Sequence, residues 1–423
     1  MKTKQSFKAL GVIKPILDAI KEQYFDTPTE IQIKTIPLIL KGRDVIGGSR
    51  TGSGKTFAFS CGIIKNTIPK KGIQSLVLVP TRELAEQVAD ALESFAKYKK
   101  INIVKVYGGV SINNQIDKLR KGEAVVATPG RLLDHIRRNT VNLTKVKILV
   151  LDEADLMLDM GFSRDVEKII QEVPKKRQTL LFSATVSGEL RNLEKKFMHN
   201  PKKISVEKFV DASKLKQTYV DVLSTQKFSL LVQLLSKETS GLVMVFCNTR
   251  RNTDFVAKNL KANGIQSCAI HGGLTQSKRK QILQDFHKGK TYALICTDVA
   301  ARGLDIKGVS HVYNYDVCKD AKQYIHRIGR TARAGKEGEA ITLLSDRDHD
   351  NFSKVNRLND DIRREETPEI GIAKITFRGS AGGRGGRQSQ FYGRRDGPRR
   401  SSGHGSGSSR PRRSNSSNSQ SRR

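Results

Sequence analysis

The apolar residues of this chain come in two successive series of short runs, and each run stops at a polar or glycine-rich turn. From about Arg43 to Val206 the runs are DVIGGS, SLVLVP, NIVKVY, AVVATP, KILVLDE and QTLLFSAT, separated by amphipathic stretches. After a polar, lysine-rich join around Lys202–Lys216 the pattern restarts with TYVDVL, GLVMVFCNT, QSCAIHG, YALICTDVA, HVYNYD and EAITLLS. Continuous apolar runs alternating with helical periodicity are the βαβ signature of a parallel sheet buried on both faces. The expected fold class is therefore α/β, with two tandem parallel-sheet domains at 1–206 and 217–370 and a linker at 207–216. A length of 423 residues agrees, being too long for one core and right for two domains with a tail. Ligands of open α/β sheets gather at the carboxyl ends of the strands, so the sites should face each other across a cleft between the domains.

The remaining segment, 371–423, is expected to be disordered. From roughly Arg378 it is built of Gly, Ser and Arg with almost no aliphatic residues, so burial cannot offset the entropy of ordering it. It reads either as a solubilising tail or as a nonspecific nucleic-acid tether. Its cations are nearly all Arg, suited to phosphate forks and base stacking, which favours the tether. The formal net charge of +34 points the same way, to a polyanionic partner whose attraction weakens with salt. The five cysteines, at 61, 247, 268, 296 and 318, stand singly in apolar runs, which argues against a disulfide framework or a zinc site. A signal peptide and a membrane span are not expected: the start, MKTKQSFKALGVIK, lacks an apolar h-region, and the apolar runs are short. A soluble protein of the reducing cytoplasm is the simplest expectation.

Two motifs carry phosphate chemistry. A run ending at Gly47–Gly48 leads into SRTGSGKT, where the backbone N–H groups of Thr51, Gly52, Ser53 and Gly54 and the start of the next helix can cradle phosphates. Lys55 would neutralise the β- and γ-phosphates, and Thr56 would reach a magnesium ion. Ser49 stands where the general G-x-x-x-x-G-K-[ST] pattern has its first glycine. A glycine-rich surface turn is the plain alternative, but the strand-loop-helix setting belongs to the motif's meaning. About a hundred residues on, KILVL ends in Asp152–Glu153. Asp152 can hold magnesium, and Glu153 can orient and deprotonate an attacking water. Alone, such an acidic pair is an ordinary solvated helix start; beside a phosphate loop it is a metal and base pair.

The ordered set TGSGKT (Thr51–Thr56), DEAD (Asp152–Asp155), SAT (Ser183–Thr185) and HRIGRTAR (His326–Arg333) resembles the DEAD-box RNA helicases of superfamily 2, over roughly Phe7 to Leu344. The resemblance implies two RecA-like domains that close over ATP, Mg2+ and RNA. It implies that Gln32, in FDTPTEIQ, hydrogen-bonds the adenine edge while Phe7 and Phe25 flank the base; an amide can pair bidentately with adenine N6/N7. It assigns arginine fingers to Arg330 and Arg333, which with Arg327 are spaced three apart as on one helical face. In TDVAARGLD, Gly303 allows close backbone approach, and the resemblance gives Asp305 the ribose and Thr297 the RNA. Ser183 and Thr185 would couple the acidic motif to closure. Ala332 replaces a glycine common in the family, a small-for-small change not expected to block closure.

The same resemblance turns several helix starts into an RNA groove: Pro80, Thr81 and Arg82; Gly108 and Gly109; Thr128, Pro129, Gly130 and Arg131; Thr249; and Gln276 with Arg279. Thr81 and Thr128 suit N-caps and Pro129 the first helical position, and helix starts offer N–H groups to phosphate. Taken singly, each is an ordinary cap. With no Trp and few aromatics in these loops, binding should be sequence-tolerant and salt-sensitive. The reading is an ATP-dependent RNA helicase acting as a monomer on short duplexes or RNA-protein complexes, ribosomal assemblies among them. An ATP-gated RNA clamp that turns over slowly shares every motif.

Overall fold

The computed structural model describes residues 5–23, 25–48, 52–185, 188–206, 214–237, 241–301, 304, 306, 308–332, 337–357, 359 and 361–377. The first lobe is built on β1 (Val45–Gly48), β2 (Ser75–Leu78), β3 (Ile103–Val106), β4 (Ala124–Ala127), β5 (Ile148–Leu151), β6 (Gln178–Ser183) and β7 (Lys202–Ser205). They pair in parallel in the order β3-β4-β2-β5-β6-β1-β7. The second lobe is built on β8 (Leu215–Asp221), β9 (Leu242–Cys247), β10 (Ser267–Ile270), β11 (Ala293–Thr297), β12 (Val309–Asn314), β13 (Gly338–Leu344) and β14 (Arg363–Glu365). Its order, β10-β11-β9-β12-β13-β8-β14, is the first order with seven added to every strand number. The two tandem parallel-sheet domains expected from the sequence are present, and they share one topology.

Helices fill the crossovers. In the first lobe these are α1 (Lys14–Lys21), α2 (Glu30–Leu40), α3 (Lys55–Asn66), α4 (Arg82–Phe95), α5 (Ile112–Leu119), α6 (Pro129–Arg137), α7 (Ala154–Asp159), α8 (Ser163–Gln171) and α9 (Gly188–Phe197). In the second they are α10 (Lys227–Lys237), α11 (Arg250–Ala262), α12 (Gln276–His287), α13 (Asp298–Ala301), α14 (Ala321–Ile328) and α15 (His349–Asn356). Side chains of a strand alternate between faces, so each sheet divides its core in two. Val77 of β2 joins Phe57, Phe59 and Val150 on one face, while Leu76 and Leu78 join Val125, Leu149 and Leu151 on the other. Val243 and Val245 of β9 are split from Met244 and Phe246 in the same way. Each such buried side chain stabilises its lobe by about 1.5–3 kcal/mol relative to exposure, which is why the strands read as unbroken apolar runs.

Two strands escape that rule. β7 (KKIS) and β14 (RRE) lie at sheet edges with mostly exposed side chains, within segments read from sequence as a polar join or not read at all. Their pairing rests on backbone bonds to β1 and β8, which leave no apolar trace in the sequence. Chain also continues against the second lobe past residue 370, through Phe377; the Arg/Gly/Ser-rich tail from 378 lies outside the described residues. Among the described residues no helix is long and apolar enough to cross a membrane.

Candidate active site and nucleic-acid interface

α3 begins at Lys55, directly after the loop that follows β1, with Gly52 and Gly54 in left-handed conformations at φ 80° and 95°. The loop is held from α2: Thr29 Oγ1 donates to the Ser53 carbonyl (2.8 Å) and Gln32 Nε2 to the Gly54 carbonyl (3.0 Å). Gln32 Oε1 in turn accepts from Thr29 N–H at 2.8 Å. The amide expected to read a base therefore also braces the phosphate loop, with one N–H and one lone pair in reserve. A Cβ on Gly54 would lie 2.3 Å from Gln32 Nε2, so only glycine fits there. Phe7 is buried against Phe57 at 5.0 Å between ring centroids, whereas Phe25 is 42 % exposed. Phe7 thus shapes the site from within the core, and Phe25, packed on the Phe57 and Phe95 rings, is the more exposed of the two. Thr51 lies outside the described residues.

Across the loop, β5 delivers Asp152 and Glu153, both buried. Lys55 Nζ stands 3.8 Å from Asp152 Oδ1. Burial raises the Asp152 carboxyl to about 6, opposed by Lys55 and reinforced by the neighbouring Glu153 charge. Such a carboxyl is short of positive charge, and a cation beside it would hold it ionised. Among the described residues no group of three or more His, Cys, Asp or Glu side chains could hold a metal. Magnesium does not need one, because it takes one or two carboxylates and completes its shell with water and substrate phosphates. Glu153 has φ +51°, a strained left-handed backbone for a non-glycine residue, and its N–H donates to Asp152 Oδ1 at 3.0 Å. That strain turns the chain sharply off the strand, setting the two carboxylates at its end.

The fourth residue of the acidic motif, which the sequence reading left without a role, is hydrogen-bonded to the end of β6. Asp155 Oδ2 accepts from both N–H and Oγ1 of Thr185 at 2.9 Å, while Asp155 Oδ1 accepts from Leu156 N–H. Ser183 Oγ donates to the Thr185 carbonyl at 2.6 Å. Ser183 and Thr185 therefore join the end of β6 to the start of α7.

The arginine motif departs from the sequence reading. α14 ends at Ile328, so Arg330 does not lie on the helix that carries Arg327. Arg327 is 1 % exposed and makes paired bonds to Asp298 at 2.6 and 2.7 Å, with further bonds to Asn248 Oδ1 and the Asp316 carbonyl. It is a structural tie. Arg330, beyond the helix, donates to the carbonyls of Leu304 (2.6 Å) and His326 (3.2 Å). Ala332 has φ +52°, which accounts for a glycine preference at that position better than size does. Arg333, Gly303 and Asp305 lie outside the described residues.

The groove residues fall into three groups. Thr81 and Thr249 are working N-caps, accepting from Leu84 N–H (3.2 Å) and Asn252 N–H (3.1 Å). Thr128 makes no capping bond, although Pro129 does open α6 as expected. Arg82 and Arg131 shape the loop beside them: a Cβ on Gly109 would lie 2.2 Å from Arg82 Nη1, and Arg131 Nη1 donates to the Val110 carbonyl. Pro80 closes β2, Thr297 ends β11, and Gly130 has open space around it. Gln276 and Arg279 are engaged across the lobes with Glu83 of α4, Arg279 Nε at 2.8 Å and Gln276 Nε2 at 3.3 Å. Arg279 and Glu83 are both buried, so here they join the lobes, as Lys322 and Asp159 do at 2.7 Å. Glu83 is a second residue that the sequence reading missed, although it sits inside the quoted PTRELA.

Residues 29–193 match the family described as DEAD/DEAH box helicase, and residues 226–335 the helicase conserved C-terminal domain. The chain belongs to the DEAD-box helicase family. It is 47% identical over 345 residues to the ATP-dependent RNA helicase CshA of Listeria monocytogenes, covering 81% of this chain and 66% of that protein. The structure of S. cerevisiae Dbp5 bound to RNA and ADP BeF3 overlays with TM-score 0.78 at 34% identity, over 85% of this chain and 95% of that one. A DEAD box protein from the hyperthermophile Methanococcus jannaschii is 42% identical over 85% of this chain and 99% of that one, with TM-score 0.52. The higher overlay thus goes to the less similar sequence, and the tandem RecA-like fold is common to both.

Proposed function

We propose that this chain is an RNA-stimulated ATPase that locally unwinds short RNA duplexes or remodels RNA-protein complexes. The observation that carries the reading is the buried Lys55–Asp152 pair beside the strained Glu153, set against a glycine loop in a DEAD-box chain. Lys55 and the loop N–H groups hold the β- and γ-phosphates, and Glu153 orients the attacking water and takes its proton. Thr56 and Asp152 would hold magnesium, which would supply positive charge to the phosphates. Phe25 and Gln32 receive the adenine, and Asp305 the ribose. Arg330 and Arg333 stabilise the charge of the transition state once the second lobe has closed.

RNA is taken along the helix starts of both lobes by its backbone, with little regard for sequence. Gln276 Oε1 is buried without a partner among the described residues; a 2′-hydroxyl is a donor that would satisfy it and that DNA lacks. ATP and RNA favour the closed arrangement by binding it better, and product release reverses the shift. The basic tail serves as a nonspecific RNA tether. The working form is a monomer in the cytoplasm, and ribonucleoprotein or ribosomal assemblies are its targets.

Steady-state ATP hydrolysis with single-stranded RNA, with matched DNA and with neither tests this directly. Stimulation by RNA alone, absent in Lys55→Ala and Glu153→Gln, is the expected result; equal turnover in all three proteins would contradict it.

A further inference from the structure

Beyond β14 the chain does not leave the second lobe. Residues 366–377 run as an extended segment, without regular secondary structure, across α10 and α11. Three side-chain amides hold its backbone, each using both its oxygen and its nitrogen. Gln233 of α10 donates to the Glu369 carbonyl (2.9 Å) and accepts from Gly371 N–H (3.4 Å). Asn263, at the end of α11, donates to the Lys374 carbonyl (2.8 Å) and accepts from Lys374 N–H (3.0 Å). Asn259, one turn earlier and fully buried, does the same for Phe377 at 2.8 and 2.9 Å and also accepts from Thr376 N–H. Ser229 Oγ accepts from Ala373 N–H at 3.1 Å.

These helix side chains do for the segment what a neighbouring strand does in a sheet, satisfying its N–H and C=O groups whatever its side chains are. Side-chain selection is slight by comparison. Ile370 and Ala373 pack on the core between β9 and the helices, and Phe377 lies under Lys258 Nζ, 3.8 Å from the ring centroid. Ile372 is fully exposed and Ile375 44 % exposed. A long extended segment held by few apolar contacts loses nearly all its conformational freedom for a modest gain, which places its release at the low end of the lobe's opening free energies.

We propose that the α10–α11 face is a binding site for an extended peptide, and that residues 366–377 fill it as a detachable strap. The site takes an aliphatic residue, a small residue three positions on and an aromatic residue four beyond that, in the pattern of Ile370, Ala373 and Phe377. Asn259 and Asn263 are its backbone readers. They sit at the opposite end of α11 from Thr249, so the site lies away from the RNA-groove start of that helix.

Hydrogen exchange on the full-length chain tests this, with and without an excess of a free peptide of residues 366–377. The amides of Thr376 and Phe377 should exchange at least about 100-fold faster than those of β9, and faster still when the free peptide displaces the strap. Asn263→Ala, at an exposed helix end, should speed strap exchange about tenfold with β9 unchanged; Asn259→Ala should also abolish capture of a labelled peptide. Strap amides as protected as β9, or strap exchange indifferent to saturating peptide, would overturn the proposal.

Discussion

The two lobes are one topology used twice, and they differ where a phosphate would sit. In the first, β1 leads through a loop with two left-handed glycines to Lys55, which opens α3 and faces Asp152. In the second, β8 leads through VLSTQ, with no glycine, to Lys227, which opens α10. Lys227 is already neutralised, 2.5 Å from Asp348 Oδ2 and over the Tyr315 ring. Asp316 matches Asp152, each donating its N–H to the central neighbouring strand, at Phe246 and Leu78. Asp316, however, is spent on Asn248 and Asn252 at the start of α11.

The nucleic-acid side shows the reverse. Thr81–Arg82 with Gly108–Gly109 recurs as Thr249–Arg250 with Gly272–Gly273, and in both lobes the arginine lies against the glycine pair. A long polyanion can be gripped by two like surfaces, whereas one nucleotide needs one cradle and a different, charge-donating face opposite. Duplication followed by loss of the second cradle gives that arrangement.

The comparison can be broken most sharply at the arginines. Arg330→Ala should lower RNA-stimulated hydrolysis by about 10³-fold or more while leaving the fold and ATP binding intact. Arg327→Ala should instead destabilise the second lobe by about 3 kcal/mol, because it strips the half-buried Asp298 carboxylate of its partner; thermal melts of the two variants separate the roles. Next come the helix-opening lysines. Lys55→Ala should cost hydrolysis about 100-fold or more. Lys227→Ala should leave hydrolysis per folded chain unchanged and show its effect in denaturant unfolding, and loss of turnover in a well-folded Lys227→Ala would refute the asymmetry.

A smaller effect is expected at Gly109, where a Cβ would displace Arg82. Gly109→Ala should weaken RNA binding by about 10-fold, from roughly 1–3 kcal/mol of strain, with basal hydrolysis unaltered; filter binding against RNA concentration reads it. The smallest is Ala332→Gly. Relieving a positive φ should raise the melting temperature slightly, by about 0.5 kcal/mol in stability, with turnover unchanged.

Where burial and chemistry coincide, the sequence was legible. Twelve apolar runs became twelve strands, because the side chains of those strands are mostly buried. β7 and β14 were not legible, since their stabilisation is backbone pairing at an exposed edge. Lys55 opens a helix and Asp152, Glu153, Ser183 and Thr185 stand at strand ends, positions that apolar runs bounded by turns make visible. Arg327 carried no role of its own in the sequence, because only the fold reveals that Asp298 and Asn248 converge on it. The repeated T-R and G-G pairs, PTR with YGG and NTR with HGG, were visible in the chain and would have exposed the duplication.

The most direct test is the number of nucleotides bound. Calorimetric titration of the full-length chain with a nonhydrolysable ATP analogue and magnesium should give one site per chain, lost in Lys55→Ala and retained in Lys227→Ala. Two sites, or binding that survives in Lys55→Ala and disappears in Lys227→Ala, would contradict a single cradle in the first lobe.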